Sequence, residues 1–351
     1  MSRFVDAHLG RLTPYVPGEQ PQGRTFVKLN TNESPYPPAP GVAAALNRER
    51  IEAMRLYADP NCTKLRQAAA DYHGLSPDQV LAVNGSDEAL YFAFLAYASN
   101  RNVYYPDVTY GFYRVFASLL GAKGIPVPLN NDYEIDWKDY FGKDGMIVFA
   151  NPNAPTGHYL THADIKRIVM SNPDQVVLVD EAYIDYGGAS VIPLIKQFDN
   201  LLVVQTFSKS RALAGLRLGF AFAQKALIDD LTRIRDAIHP YSVNGLAQTA
   251  GIKSFEDRRY FGECVSAIVK TRARTTQALE AMGVTVLPSL TNFLMMAVPN
   301  KPGEKVYKGL FERGVLVRYF DAPRTRAYVR VTIGSDPEMD AFLDALKEVI
   351  A

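Results

Sequence analysis

The middle of the chain is an alternation. Short, largely apolar runs recur at 80–83, 102–105, 146–150, 176–179, 201–205 and 218–223, and longer amphipathic stretches such as 87–98 and 110–120 lie between them. Runs without polar alternation suit strands buried on both faces, and the intervening stretches suit crossover helices. The pattern predicts a three-layer α/β/α unit around a mainly parallel sheet. Sheets of this kind bind ligands beyond the carboxyl ends of their strands, so the residues just after each run are the ones to read for chemistry.

The two ends of the chain differ from its middle. Residues 1–41 are rich in Pro and polar residues, with PYPPAP at 35–40, and read as an extended arm. From about 244 a long helical stretch runs towards Met282, followed by shorter strands at 292–298, 315–319 and 328–333. Met339, Phe342, Leu343, Leu346 and Val349 then recur at helical spacing, so the chain closes on an amphipathic helix. We expect a large unit over 42–245 and a smaller α+β unit built from 1–41 and 246–351. Lys plus Arg is 38 against 37 for Asp plus Glu, a net charge of +1 that argues against nucleic acid as a partner. It leaves room for small anions held by single arginines. Cys62 and Cys264 form no CxxC pair and the five histidines show no ligand spacing, so no metal is expected and a reducing cytoplasm is. The first fifteen residues carry Arg3, Asp6 and Arg11 and lack the apolar core of a signal peptide. No run approaches the roughly 20 apolar residues of a membrane helix.

Five segments placed just after predicted strands carry the chemistry. In TFSKSRALAGLRLGF, Lys209 follows a strand among small hydroxylated residues; a lysine in an apolar setting has a lowered pKa and can form a Schiff base with an aldehyde. Thr206, Ser208 and Arg217 of the same segment suit a phosphate. In VVLVDEAYIDY, Asp180 ends a strand, where it can pair with a protonated ring nitrogen or cap the next helix, and Tyr183 follows. VNGSDEALYFAF passes from a strand through Gly85 to a helix, whose first N–H groups at Ser86 and Asp87 can cradle a phosphate. NPNAPTG, 151–157, is a loop fixed by Pro and Gly. Tyr110, in PDVTYGFYR, is read as opening a helix with its ring free to lie over a flat ligand. Any one of these is ordinary alone. Together they supply an aldehyde-trapping amine, an acid, a phenol, a stacking ring and a phosphate cup, which is what pyridoxal 5'-phosphate requires.

In this order, GSDE, Tyr110, NPNAPTG, DEAY, SK and Arg217 resemble the fold-type-I pyridoxal-phosphate aminotransferases over nearly the whole chain. Within them, LTPYVPG, KLNTNESPYPP at 28–38, RLYADPNCTKLR at 55–66 and RVTIG at 330–334 are most similar to the histidinol-phosphate group. The resemblance implies an aspartate-aminotransferase-like fold and a set of roles. Lys209 binds the cofactor aldehyde and moves a proton, with Asp180 on the ring nitrogen, Tyr183 on the phenolic oxygen and Tyr110 stacked on the ring. Gly85, Ser86, Asp87, Thr206, Ser208 and Arg217 surround the phosphate, and Tyr57 reaches the partner's phosphate in a homodimer with shared sites. Arg318 and Arg330 hold the substrate anion together with Asn32, and Tyr15 is contributed by the partner chain. The implied substrates are a small phosphorylated amine and 2-oxoglutarate, exchanged for glutamate. The family loop reads NPNNPTG, and its last Asn touches the phenolic oxygen; here that position is Ala154, so Asn153 is expected to turn towards the ring. Threonine-phosphate decarboxylases and aromatic aminotransferases share these motifs. Transcription regulators built on the same fold add a basic DNA-binding module, for which we see no segment here.

Overall fold

The computed structural model describes residues 2–6 and 9–351. Among the described residues thirteen strands run in chain order: β1 (Val27–Lys28), β2 (Val80–Val83), β3 (Asn102–Pro106), β4 (Lys123–Val127), β5 (Gly145–Ala150), β6 (Val177–Asp180), β7 (Leu201–Thr206), β8 (Gly219–Phe222), β9 (Thr285–Val286), β10 (Phe293–Ala297), β11 (Val315–Leu316), β12 (Arg318–Tyr319) and β13 (Val329–Thr332). Seven of them form the central sheet in the order β2-β8-β7-β6-β5-β3-β4. Every neighbouring pair in it is parallel except the two that β8 makes, with β2 and with β7.

The alternation of burial explains why these runs became inner strands. On β5, Ile147 and Phe149 join the core on one face while Met146 and Val148 join the core on the other. On β6, Val177 and Val179 face one way and Leu178 the other. Helices Ser86–Tyr97, Phe112–Leu119 and Lys225–Ile238 cover one side with Ala89, Leu90, Phe116, Ile228 and Leu231. Helices Thr63–His73, His162–Ser171 and Gly245–Glu256 cover the other with Leu65, Ala69, Ile165, Ile168 and Ala250. The sequence missed β4, KGIPV, because as an edge strand it carries a Pro and is mostly exposed.

A second core gathers Leu29, Phe293, Leu294, Val317, Val331, Met339, Phe342 and Leu346 around the antiparallel sheet β12-β13-β10-β9 and the closing helix Asp336–Ile350. The N-terminal arm is not wholly extended coil. Its β1 pairs in parallel with β11, Val27 opposite Val315 and Lys28 opposite Leu316. The single strand read over 315–319 is therefore two. Residues 315–316 pair with β1, and after Val317 the chain pairs antiparallel with β13 instead. The long helical stretch after 244 likewise breaks at Asp257, whose side chain caps the helix Arg258–Ala281.

The reversed direction of β8 positions the site. Because β8 is antiparallel to β2 and β7, its first residue, Gly219, lies opposite both of their last ones, Val83 and Thr206. The turn before β8, with Arg217, thus reaches the same edge as the loops that follow β2 and β7.

Candidate active site

At that edge the loop after β2 passes through Gly85 at φ +81 into helix Ser86–Tyr97. The N–H groups of Ser86 and Asp87 open this helix, where no earlier carbonyl can bond them. A Cβ on Gly85 would lie 2.5 Å from Arg217 Nη2, and one on Gly219 would lie 2.5 Å from the Ser86 nitrogen. Both glycines let the guanidinium and the helix end approach. Arg217 Nη1 donates to Ser208 Oγ at 3.2 Å, the Thr206 hydroxyl meets the same oxygen at 3.0 Å, and Arg217 Nη2 stands 3.6 Å from Asp87 Oδ2. The cup is a cation, two hydroxyls and a helix N-terminus.

Tyr110 donates to Asp87 Oδ1 at 2.8 Å. It sits one residue before Gly111, which caps helix Phe112–Leu119, so it precedes the helix that the sequence reading had it open. Beyond it, Asp180 ends β6 in full burial. Oδ2 accepts from the Tyr113 hydroxyl at 2.9 Å and Oδ1 from the Ala182 N–H at 3.1 Å. Burial outweighs those two bonds and pushes the carboxyl up to about 6. Tyr113 has no counterpart in the sequence reading; its place three residues after Tyr110, in the first turn of the helix that follows, is the signal that carried it.

Lys209 Nζ donates to the Thr31 carbonyl at 2.9 Å and stands 5.9 Å from the centre of the Tyr183 ring. Burial, aided by the Arg330 charge, pulls its amine down to about 8. The Tyr183 hydroxyl accepts from Asn32 Nδ2 at 2.9 Å. Arg330 Nη2 donates to the Asn30 carbonyl at 3.0 Å, while its Nε is buried without a hydrogen-bond partner among the described residues. Arg318 is the direct cross-strand partner of Arg330. Like charges facing each other across two strands are unfavourable unless an anion comes between them. Arg318 meanwhile donates to the carbonyls of Val16 and Pro17 at 2.7 and 2.9 Å.

The remaining candidates lie as follows. Tyr15 lies beside Tyr110 and Phe112 of its own chain. With Val16 and Pro17 tied to Arg318, its ring stacks on Phe112 at 4.4 Å and lies 6.0 Å from Tyr110. Asn153 does not offer a donor beyond its own loops. Both amide hydrogens are taken, by the Val108 carbonyl at 2.9 Å and Thr156 Oγ1 at 3.0 Å, and its oxygen accepts from Thr109 at 2.8 Å. Asn153 is a strut between the loops after β3 and β5. Asn32, expected at the substrate, has its side chain engaged with Tyr183 and Thr332. Tyr57 stands apart from the cluster, 83% exposed and stacked on Tyr241 at 4.5 Å. Among the described residues no three His, Cys, Asp or Glu side chains gather as a metal centre would, and no helix is long and apolar enough to cross a membrane.

A lysine, a buried acid, a phenol and a phosphate cup at the carboxyl edge of such a sheet define a class. The chain belongs to the class I and II aminotransferases, whose family profile matches residues 24–346. Within that family it is similar to histidinol-phosphate aminotransferase 2 of Thiobacillus denitrificans, 46% identical over 348 residues, covering 99% of this chain and 98% of that protein. It is equally similar to the histidinol-phosphate aminotransferase of a Marinomonas species, 46% identical over 351 residues and 99% of each chain. The crystal structure of the Sinorhizobium meliloti histidinol-phosphate aminotransferase, in complex with pyridoxal-5'-phosphate, shares the fold, with a TM-score of 0.90 at 23% identity over 100% of this chain and 98% of that one.

Proposed function

We propose that the chain is a pyridoxal-phosphate-dependent aminotransferase of histidine biosynthesis, converting L-histidinol phosphate and 2-oxoglutarate to imidazole acetol phosphate and L-glutamate. The observation that carries the substrate reading is Arg330, a half-buried cation whose Nε is buried and unpaired among the described residues, facing Arg318 across β12 and β13. Two guanidinium forks at one spot suit a phosphate in one half-reaction and a dicarboxylate in the other.

The residues fit the cofactor. Glycine at 85 leaves the cup open beside Arg217, and the buried carboxyl of Asp180 lacks a cation of its own. Gly85, Ser86, Asp87, Thr206, Ser208 and Arg217 would hold the phosphate. When bound, the cofactor supplies an aldehyde that takes up the amino group and a protonated ring that withdraws electrons from the substrate Cα. Asp180 would hold the proton on the ring nitrogen, and its burial would strengthen that pairing. Tyr183 Oη would donate to the phenolic oxygen, and Tyr110, fixed by Asp87, would flank the ring. Lys209 Nζ would hold the cofactor aldehyde and would serve as the base that moves the proton at the substrate Cα. Its lowered pKa leaves part of it neutral near pH 7, as a base must be.

We further assign a homodimer, with Tyr57 reaching the partner's phosphate. Ile51, Met54, Leu56, Tyr57 and Tyr241 form an exposed apolar group on one surface, which favours a covering partner. Free Cys62 and Cys264 suit a reducing cytoplasm. The test is a half-reaction screen. Histidinol phosphate, tyrosine, phenylalanine and threonine phosphate are each added to the cofactor-loaded protein, and the visible cofactor band and evolved carbon dioxide are followed. Rapid loss of the band with histidinol phosphate alone supports the reading. Carbon dioxide release from threonine phosphate overturns it.

A further inference from the structure

Alternate residues of a strand share a face, so β13 turns Arg330 and Thr332 the same way. Arg330 has a role in the reading above; Thr332 has none. Yet Thr332 is buried, and its hydroxyl belongs to a chain of hydrogen bonds that runs from the small sheet to the loop after β6. The Asn32 N–H donates to Thr332 Oγ1 at 3.0 Å. The Thr332 hydroxyl donates to Asn32 Oδ1 at 3.0 Å. Asn32 Nδ2 donates to Tyr183 Oη at 2.9 Å.

Each link decides the direction of the next. A threonine oxygen that accepts from a backbone N–H sends its own hydrogen elsewhere, here to the amide oxygen. An amide with its oxygen so engaged presents its NH2 to Tyr183, and an NH2 only donates. A phenol oxygen that accepts a bond keeps its own hydrogen for a different acceptor. Asn32 is also fixed as a whole. Its backbone is left-handed at φ 58, and its carbonyl accepts from Asn292 Nδ2 at 3.0 Å.

The geometry points to Thr332 as a positioning residue that, acting through Asn32, fixes Tyr183 as a hydrogen-bond donor into the cofactor site. This rests on the reading of the site as a pyridoxal-phosphate site. It matters more in this chain than the cofactor motifs suggest. Ala154 brings a methyl group into the same apolar cluster as Tyr183, and both amide hydrogens of Asn153 are taken within the loops. The donor on this side is then Tyr183, and its direction depends on a hydroxyl 149 residues away on β13. The same strand carries Arg330, so the group that receives the substrate anion and the group that orients the cofactor's phenol partner are rigidly joined.

A donor at the phenolic oxygen draws electron density from it and makes the neighbouring lysine-bound nitrogen of the loaded cofactor less basic. Losing that donor raises the pH at which the visible band of the loaded protein titrates. The experiment measures that midpoint in the wild type and in Thr332→Val, Thr332→Ser, Asn32→Gly and Tyr183→Phe. The expected result is an upward shift of roughly half to one pH unit in Thr332→Val, the size of one hydrogen bond. Asn32→Gly, in which glycine tolerates the left-handed backbone, should shift the same way and keeps the test open if the Val variant folds poorly. Thr332→Ser should return to the wild-type midpoint, and Thr332→Val should add nothing on a Tyr183→Phe background. Unchanged midpoints in loaded Thr332→Val and Asn32→Gly, with the band present, overturn the positioning role and leave the cofactor site standing. A wild type that forms no visible band with the cofactor overturns the site and this inference with it.

Discussion

The Lys209 amine is held near 8, against 10.5 for an ordinary lysine, chiefly by burial and next by the Arg330 charge. At pH 7 a group titrating near 8 is neutral about a tenth of the time, while one at 10.5 is neutral roughly three times in ten thousand, a gain of about 300-fold in reactive amine. The rate at which cofactor-free protein captures pyridoxal 5'-phosphate covalently should follow this neutral fraction. Stopped-flow absorbance of the visible band, run from pH 6 to 11, should show the rate rising through a midpoint near 8 and levelling above it. Replacing Arg330 by Met removes the second cause and keeps the first, so the midpoint should move up yet stay below 10.5. The stability of the cofactor-free fold carries the same signature. A lysine whose folded value lies below its unfolded one makes the unfolded chain bind more protons between the two, so stability rises as pH increases from about 8 towards 10.5. A capture midpoint at 10 or above in the wild type would refute the argument that burial activates this amine, whatever the amino donor proves to be.

Asp180, raised to about 6 by burial, should be half protonated near that pH in cofactor-free protein. Infrared difference spectra on adding cofactor should show a protonated-carboxyl stretch disappear, and Asp180→Asn should lack that signal and bind cofactor roughly 10- to 100-fold more weakly, the worth of one bond to a charge. Gly85→Ala should be strained at φ +81 and push against Arg217 Nη2, costing about 1–2 kcal/mol in thermal stability and raising the cofactor dissociation constant at least tenfold; equal affinity in a folded variant would remove Gly85 from the cup. Arg330→Met should raise the KM for glutamate and 2-oxoglutarate by roughly 100-fold, and Arg318→Met by less, because only the first has a buried Nε without a partner among the described residues; equal effects would mean the two arginines share the anion evenly.

The central sheet and its loops were legible because each of their signals is local. Lys209, Asp180 and Gly85 each follow an apolar run directly, and a buried parallel strand needs little beyond that run to be recognised. The reversed β8 was not legible as such. Its apolar run looks like the others, and only the pairing of Gly219 with both Val83 and Thr206 reveals its direction. The arm was misread for a related reason. β1 is two residues long, and its partner Val315–Leu316 lies almost the whole chain away, so no periodicity announces it. Asn153 shows the limit of motif reasoning. An Asn beside a vacant position invites substitution, but Val108, Thr109 and Thr156 had already claimed its amide, and those partners are set by the loop's fold.

The partners of the charged side chains explain why the site stays poised for a ligand. A lysine and a carboxylate buried near one another would satisfy each other most simply as an ion pair. Here each is bonded to a neutral group instead. Lys209 has the Thr31 carbonyl, Arg330 the Asn30 carbonyl, Arg318 the carbonyls of Val16 and Pro17, and Asp180 a tyrosine hydroxyl and a backbone N–H. Neutral partners orient these four charges without cancelling them, so an incoming carboxylate or protonated ring meets them without breaking an ion pair that they already make. All four carbonyls come from the N-terminal arm. Residues 30 and 31 stand where they do because β1 pairs with β11 and because the Leu29 carbonyl accepts from the Thr332 N–H at 2.9 Å. The segment that reads in sequence as a polar, proline-rich lead-in is thus the element that keeps both the reactive amine and the anion-binding arginines uncommitted. Disturbing its pairing, for instance with Pro at Val27, whose N–H donates to the Gly314 carbonyl at 2.9 Å, should impair Lys209 and Arg330 together although neither is touched.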